Sequence, residues 1–106
     1  FPEEIETVIN KIEGVKESFV YGRPDGTGDY KICAKIVYDK ELVKEAYNVE
    51  NAEDIKETIW QEVKKMNKAM PAYKYIRDII ITTEPLIKTT TQKIKRNEEM
   101  KKIIGK

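Results

Sequence analysis

Four cations and three threonines stand close together near the end of the chain, within the nine residues 88–96. They are Lys88, Thr89, Thr90, Thr91, Lys93, Lys95 and Arg96, and Gln92 lies among them. The segment has too little apolar surface to build a core, so we expect a loop. Ammonium, guanidinium and hydroxyl groups together suit an anion such as a phosphate or a carboxylate. The segment therefore predicts a loop that meets an anionic ligand.

Composition and charge limit the chemistry that is open to this chain. Its 106 residues favour one domain, and its 20 basic and 19 acidic residues give a net charge of +1. This balance argues against a dedicated nucleic-acid binder. The chain has no histidine, which removes the commonest general base and most zinc sites, so we expect no metal site. No apolar run approaches about 18 residues, and we expect a soluble, cytoplasmic protein.

The segments in the first half of the chain predict a helix and a β-hairpin. Apolar residues at helical spacing indicate a helix from about Pro2 to Glu13, ended by Gly14. Its apolar stripe consists of Ile5, Val8, Ile9 and Ile12. Alternating residues indicate one strand from Val15 to Tyr21, buried mainly on one side, and a second from Tyr30 to Tyr38, joined by a glycine-rich turn. The single cysteine, Cys33, lies in the second strand and is expected to be a small core residue.

The second half of the chain adds helices and a third strand. A short helix around Glu41 to Tyr47 and a longer one capped by Asn51 precede a strand from Ile76 to Thr83. After a polar loop, Asn97 is expected to cap a last short helix. Together these elements predict an α+β fold, with a small, largely antiparallel three-stranded sheet packed with about three helices.

Four short segments spread along the chain share their patterns with one enzyme family. They are Phe1-Pro2-Glu3-Glu4-Ile5-Glu6, the run from Gly14-Val15 to Val20-x-Gly22-x-Pro24-Asp25, Met70-Pro71-Ala72-Tyr73-Lys74, and Lys88 to Arg96. In this order they resemble the carboxy-terminal domain of the AMP-forming acyl-CoA synthetases of the adenylate-forming ligase superfamily, particularly the long-chain fatty-acid type. The resemblance extends over nearly the whole chain.

The last segment resembles the family motif Pro-Lys-Thr-x-Ser/Thr-Gly-Lys-x-x-Arg, with two departures. Ile87 stands where most relatives have proline, and Gln92 stands where they have glycine. Long-chain members often depart from glycine at this point, so Gln92 points toward that subgroup. Because glycine tolerates a positive φ angle and glutamine does not, the turn before Lys93 is expected to be either conventional or strained.

The resemblance implies that Lys93 is the catalytic residue. A fatty-acid carboxylate attacks the α-phosphorus of ATP, and an ammonium group can bridge these two anions and stabilise the transition state. The plain alternative is a solvated surface lysine. The remaining residues of the nucleotide loop are expected to place Lys93 more than to share its chemistry. They are Lys88, Thr89, Thr90, Thr91, Gln92 and Arg96.

The resemblance also implies a larger enzyme around this domain. In the family the ATP site, the Mg²⁺ ligands and the acyl tunnel belong to an amino-terminal adenylation domain. A hinge lets the small domain rotate between adenylation and thioester formation. Residues 1–106 are accordingly expected to be a single lid domain excised from a two-domain enzyme, and inactive alone. ATP, CoA and Mg²⁺ are expected in the parent enzyme, with none of them bound tightly to this chain.

Other functions stay open at this point. An adenylation domain that loads a carrier protein instead of CoA would share these motifs. A non-enzymatic interaction module would use the basic tail, where six cations and two anions over residues 93–106 give a charge of +4. That tail could also steer ATP, contact anionic lipid as a peripheral membrane surface, or simply keep the protein soluble. RNA binding through Tyr21, Tyr30 and Tyr38 lacks a recognised motif, so no nucleic acid is expected.

Overall fold

The computed structural model describes residues 2–104, apart from the side chain of Tyr73. In chain order the elements are α1 (Pro2–Ile9), β1 (Val15–Pro24), β2 (Tyr30–Tyr38), α2 (Lys40–Tyr47), α3 (Ala52–Asn67), a 3₁₀-helix (Ala72–Lys74), β3 (Ile76–Thr82) and α4 (Arg96–Ile104). The α+β class and the three strands are confirmed, and the described residues hold four α-helices where about three were predicted. Phe1 of the first family segment and Lys106 of the basic tail lie outside the described residues.

The three strands form one sheet in the order β1-β2-β3. β1 and β2 pair antiparallel, with Val20 beside Ala34, which confirms the predicted hairpin. β3 pairs with β2 in the parallel direction, with Ile79 beside Ala34. The sheet is therefore mixed, where the sequence predicted a largely antiparallel one. The parallel pairing arises because α2 and α3 form a crossover connection that returns the chain to the same end of the sheet.

One cluster of buried side chains joins the sheet to α1, α2 and α3. It consists of Ile5, Ile9, Val20, Ala34, Ile36, Tyr38, Val43, Ile55, Ile59, Val63, Ile76 and Ile79. α3 contributes Ile55, Ile59 and Val63, and Trp60 packs against the cluster while remaining partly exposed. These three residues recur every four positions, which places them on one side of the helix.

The other face of the sheet is also covered. A second buried cluster consists of Phe19, Tyr21, Cys33, Val37 and Leu86, and Ile94, Met100 and Ile103 pack against it. Alternate residues of a strand point to opposite faces, so β1 is buried on both sides, where the sequence predicted burial mainly on one. Cys33 is a core residue as expected, and burial raises the pKa of its thiol.

The three tyrosines do not form an aromatic platform. Tyr21 and Tyr38 are buried in the two different clusters, and burial raises the pKa of Tyr21 to about 12. Tyr30 is 71% exposed. Because single-stranded RNA binds to exposed stacking rings, this arrangement removes the basis for the RNA-binding interpretation.

The first helix is shorter than predicted. α1 ends at Ile9, where the sequence indicated about Glu13. Lys11 and Ile12 donate their N–H groups three residues back, to the carbonyls of Val8 and Ile9. The chain therefore tightens into a turn instead of continuing the helix. Val8, which was predicted in the buried stripe, is exposed.

The last helix begins before its predicted cap. α4 starts at Arg96, and the carbonyl of Lys95 accepts the N–H of Glu99 at 3.0 Å. Asn97 therefore lies in the first turn and is not the N-cap residue. Two residues of the first turn of α4, Arg96 and Glu99, form long-range contacts with Glu6 and Lys35.

Gly14 is required where the turn after α1 meets α2. Its φ angle is +93°, and a Cβ atom at this position would lie 2.6 Å from Cγ2 of Val43. We expect Gly14→Ala to lower the free energy of unfolding by about 2 kcal/mol or more, because left-handed strain adds to overpacking. Urea unfolding measures the change. Gly26→Ala is the matched control, since Gly26 has a φ angle of +87° and no atom within 4 Å of such a Cβ. Equal losses in the two variants would contradict close packing at Gly14.

Candidate functional site

Residues 87–95 form a tight β-hairpin, called the Lys93 hairpin below. A β-bridge joins Lys88 to Ile94. The N–H of Thr89 donates to the carbonyl of Lys93 at 2.8 Å, and the N–H of Gln92 donates to the carbonyl of Thr89 at 2.9 Å. These bonds close the segment on itself, so the predicted loop is the turn of a β-hairpin.

The backbone at Gln92 is left-handed, with a φ angle of 67°. Short hairpin loops commonly consist of a type I turn followed by a left-handed residue, and glycine is favoured there. Gln92 occupies the position where the family motif has glycine. Of the two alternatives that the sequence left open, the strained turn is the one observed.

The threonine side chains bond within the hairpin. The hydroxyl oxygens of Thr89 and Thr91 lie 2.9 Å apart, and the Thr89 hydroxyl accepts the N–H of Lys93 at 3.2 Å. Such bonds between hydroxyls and nearby backbone groups shape turns. Thr90 is exposed at the tip of the loop.

Lys88 is held by Glu17 of β1. Its ammonium group forms an ion pair with Oε1 of Glu17. The other carboxylate oxygen, Oε2, accepts the N–H of Leu86 at 2.8 Å. The Glu17 side chain is 16% exposed, so water screens this contact only in part. The charge of Lys88 is thus partly neutralised by Glu17, which lowers its attraction for a phosphate.

Arg96 is held by Glu6 of α1. Its guanidinium donates two hydrogen bonds of 2.8 Å to the two carboxylate oxygens of Glu6, and it lies 5.5 Å from the ring centroid of Phe19. The hydrogen bond with Glu6 raises the pKa of Arg96. Glu6 also accepts the N–H of Val20 at 2.7 Å. Two parallel bonds between a guanidinium and a carboxylate are strong and directional, so the end of the hairpin is fixed to α1 and β1.

Glu99 of α4 holds the first strand of the hairpin, at Ile87. It was not among the predicted site residues. It is fully buried, at 0% exposure. Its Oε1 accepts the ammonium of Lys35 at 2.8 Å, and its Oε2 accepts the N–H of Ile87 at 2.6 Å. Burial alone would raise the pKa of Glu99, but the hydrogen bonds from Lys35 and Ile87 outweigh burial and hold the pKa below its usual value.

The sequence contained one signal of this contact. Lys35 interrupts an apolar strand, and a lysine that becomes buried needs a carboxylate partner. A glutamate in the first turn of a helix, such as Glu99, ordinarily complements the helix macrodipole. Nothing local distinguishes that role from an ion pair with a residue 64 positions away.

Three carboxylates thus fix the hairpin in the same manner, each accepting one backbone N–H and one cation. Glu6 binds the Val20 N–H and Arg96, Glu17 binds the Leu86 N–H and Lys88, and Glu99 binds the Ile87 N–H and Lys35. We call them the three anchoring carboxylates. Lys93 differs from the paired cations, because it is exposed and no carboxylate of residues 2–104 binds its ammonium.

The basic tail is partly neutralised within the domain. Lys101 lies 3.9 Å from Glu98, and Lys102 lies 3.6 Å from Glu84. Over residues 2–104 no cluster of three or more metal-ligating side chains occurs. None of the helices in that range is long and apolar enough to cross a membrane.

The family model described as the AMP-binding enzyme C-terminal domain matches residues 4–93. Because this match covers most of the chain, the chain belongs to that family. The resemblance drawn from the four sequence segments is confirmed at the level of the family. No curated protein sequence matches the chain significantly.

Solved structures of ligases have the same fold. The anthranilate CoA ligase AuaEII, in complex with anthranoyl-AMP, is 29% identical with a TM-score of 0.70 over 95% of this chain and 17% of the ligase. A benzoate CoA ligase from Burkholderia xenovorans LB400 is 28% identical with a TM-score of 0.67 over 92% of this chain and 18% of the ligase. A Mycobacterium tuberculosis fatty acyl CoA synthetase is 24% identical with a TM-score of 0.67 over 96% and 17%, which shows the fold alone.

The lowered pKa of Glu99 predicts a loss of stability in acid. Its folded-state pKa lies below the unfolded value of about 4.3, so its contribution is present above that value and is lost as the pH falls through the folded-state pKa. We expect Glu99→Gln to lower the free energy of unfolding by about 3 kcal/mol at neutral pH, because Lys35 loses its charged partner. Urea unfolding as a function of pH should show this difference shrink in acid. A difference that stays constant down to about pH 3 would contradict the assignment.

The left-handed turn at Gln92 predicts an inverted order of stability for two variants. Gln92→Gly and Gln92→Ala both remove the side chain, and alanine is ordinarily the more stable replacement. At a positive φ angle alanine is strained, so we expect the glycine variant to be more stable than the alanine variant by about 1 kcal/mol. Thermal unfolding of the pair measures the difference. An alanine variant at least as stable as the glycine variant would exclude the left-handed turn.

Proposed function

We propose that this domain is the mobile carboxy-terminal lid of an ATP-dependent, AMP-forming CoA ligase, and that Lys93 acts in acyl-adenylate formation. The observation that carries the proposal is the contrast among the cations of the hairpin region. Lys88 and Arg96 are bound to carboxylates, whereas Lys93 and Lys95 are exposed. Of these two, Lys93 occupies the position of the second lysine in the family motif. Membership of the AMP-binding enzyme family supplies the class of reaction.

The proposed role of Lys93 follows from charge. In adenylation a carboxylate oxygen attacks the α-phosphorus of ATP and pyrophosphate leaves, so two anions approach and negative charge spreads over the phosphoryl oxygens. An ammonium group between the acyl carboxylate and the α-phosphate attracts both. Charged groups that are held in place before the reaction require no reorganisation at the transition state. The hairpin fixes the backbone of Lys93, and the flexible side chain provides the reach.

The rest of the active site is proposed to belong to an amino-terminal adenylation domain of the same polypeptide. The chain spans 17% and 18% of the two ligases that it resembles at 28–29% identity. By the family resemblance, we assign the Mg²⁺ ligands, the ATP site and the acyl tunnel to that domain. Rotation of the lid would then place Lys93 at the adenylate in one half-reaction and remove it in the other.

For the substrate we propose a long-chain fatty acid, on the basis of glutamine in place of glycine at position 92. The names of the two ligases with 28–29% identity refer to aromatic acids, benzoate and anthranilate. An assay that compares palmitate with these two acids therefore tests the proposed substrate. CoA is the proposed acceptor, and a carrier protein is the alternative. Because the reaction consumes ATP and CoA, we propose a cytoplasmic location.

Replacement of Lys93 tests the proposed function in the full-length enzyme that carries this domain. We expect Lys93→Ala to slow acyl-adenylate formation by about 10²-fold or more, by analogy with the loss of one oxyanion donor. Pyrophosphate exchange into ATP measures this step. Thioester formation from supplied acyl-adenylate should change far less, because the lysine is proposed to act in the first half-reaction alone.

Lys95→Ala is the matched control for charge. Lys95 is an exposed cation on the same hairpin, two residues from Lys93. We expect this variant to keep both half-reactions near the wild-type rates. Equal losses of both half-reactions in Lys93→Ala, or no loss of either, would exclude the proposed role.

A further inference from the structure

We propose that Glu17 and Glu99 are positioning residues for Lys93. By fixing the first strand of the Lys93 hairpin, they set where its ammonium group meets the acyl-adenylate. This inference rests on the proposed function of Lys93. It concerns two residues that do not contact the substrate themselves, and whose effect on the reaction is transmitted through the hairpin.

The two carboxylates bind neighbouring peptide groups. Glu17 accepts the N–H of Leu86 at 2.8 Å, and Glu99 accepts the N–H of Ile87 at 2.6 Å. Glu17 belongs to β1 and Glu99 to α4, so two separate elements hold two consecutive residues. The chain cannot swing at this point unless one of these hydrogen bonds breaks.

A short series of hydrogen bonds connects these contacts to Lys93. The carbonyl of Ile87 accepts the N–H of Lys95 at 2.8 Å, and a β-bridge joins Lys88 to Ile94. The N–H of Thr89 then donates to the carbonyl of Lys93 itself at 2.8 Å. The strand that carries Lys93 is therefore paired, residue by residue, with the strand that Glu17 and Glu99 hold.

The anchoring contacts are shielded from water. Glu99 is fully buried and Glu17 is 16% exposed in its side chain. Leu86, whose N–H donates to Glu17, is buried in the second core cluster together with Phe19. Contacts of this kind are weakly screened and hold a fixed geometry. Geometry matters in catalysis, because a misplacement of about 1 Å can slow a reaction by about 10²-fold.

Glu17→Gln and Glu99→Gln test the proposal in the full-length enzyme. Each variant keeps the shape and an oxygen that can accept the backbone N–H, but removes the charge that binds the lysine. We expect the kcat of acyl-adenylate formation to fall by about 10-fold or more in each, with little change in the KM for ATP. Thioester formation from supplied acyl-adenylate should keep its wild-type rate. The two variants test different elements, so the experiment does not depend on one of them folding well.

Combination with Lys93→Ala separates positioning from a merely structural role. If Glu17 acts only by placing the ammonium of Lys93, the double variant should form adenylate no more slowly than Lys93→Ala alone, because neighbouring residues that act through one group are not additive. Additive losses would overturn the proposal. A fall of both half-reactions together, or no fall in adenylate formation in either Gln variant, would overturn it as well.

Val63→Ala is the matched control for stability. Val63 of α3 is fully buried in the cluster that does not contain the hairpin. A cavity there should lower the Tm and leave the ratio of the two half-reaction rates unchanged below that temperature. If Lys93→Ala itself leaves adenylate formation intact, the proposed function and the positioning role both fail. If Lys93→Ala slows that step and the two Gln variants do not, the positioning role alone fails.

Discussion

The contact between Glu99 and Lys35 holds α4 and the Lys93 hairpin against the sheet. The two groups lie 2.8 Å apart and come from α4 and from the central strand of the sheet. A charged group at such a depth is stable only with a partner of opposite charge and with its remaining hydrogen bonds made. α4 can therefore dock on the sheet only where Glu99 reaches Lys35. In that position the second oxygen of Glu99 accepts the N–H of Ile87, and the placement of the Lys93 hairpin follows from the docking of the helix.

The same contacts separate the paired cations of the site from Lys93. Lys35, Lys88 and Arg96 each bind an anchoring carboxylate, so they compete less for an incoming phosphate. Lys93 extends into solvent from a backbone that the others hold. Such an arrangement suits a domain that alternates between two poses, because a rigid hairpin moves with the domain and does not have to refold in each cycle. The second core cluster supports this rigidity, since Leu86 at the base of the hairpin is buried in it.

The sequence predicted features that depend on neighbouring residues. It missed features that depend on contacts between distant residues. Asn51 caps α3 as expected, with its side chain accepting the N–H of Asp54 at 2.8 Å, because a cap depends on residues three positions apart. The parallel pairing of β3 and the burial of both faces of β1 depend on the path of distant segments, and no local period encodes that path. The anchoring carboxylates were missed for the same reason, since a glutamate has one local pattern whether it faces water or a distant cation. Gln92 is an intermediate case. The motif, which has glycine at this position, indicated that the backbone could have a positive φ angle, and the structure shows that it does.

Whether Lys93 alone among the cations of the hairpin region meets the adenylate can be decided by one structure. It is the structure of the full-length enzyme with a stable acyl-adenylate analogue and without CoA. We predict that Nζ of Lys93 lies within about 3 Å of an oxygen of the α-phosphate or the acyl group, while Lys88 remains on Glu17 and Arg96 remains on Glu6. A structure in which Lys88 or Arg96 has left its carboxylate to bind the phosphate, with Lys93 in solvent, would contradict this assignment.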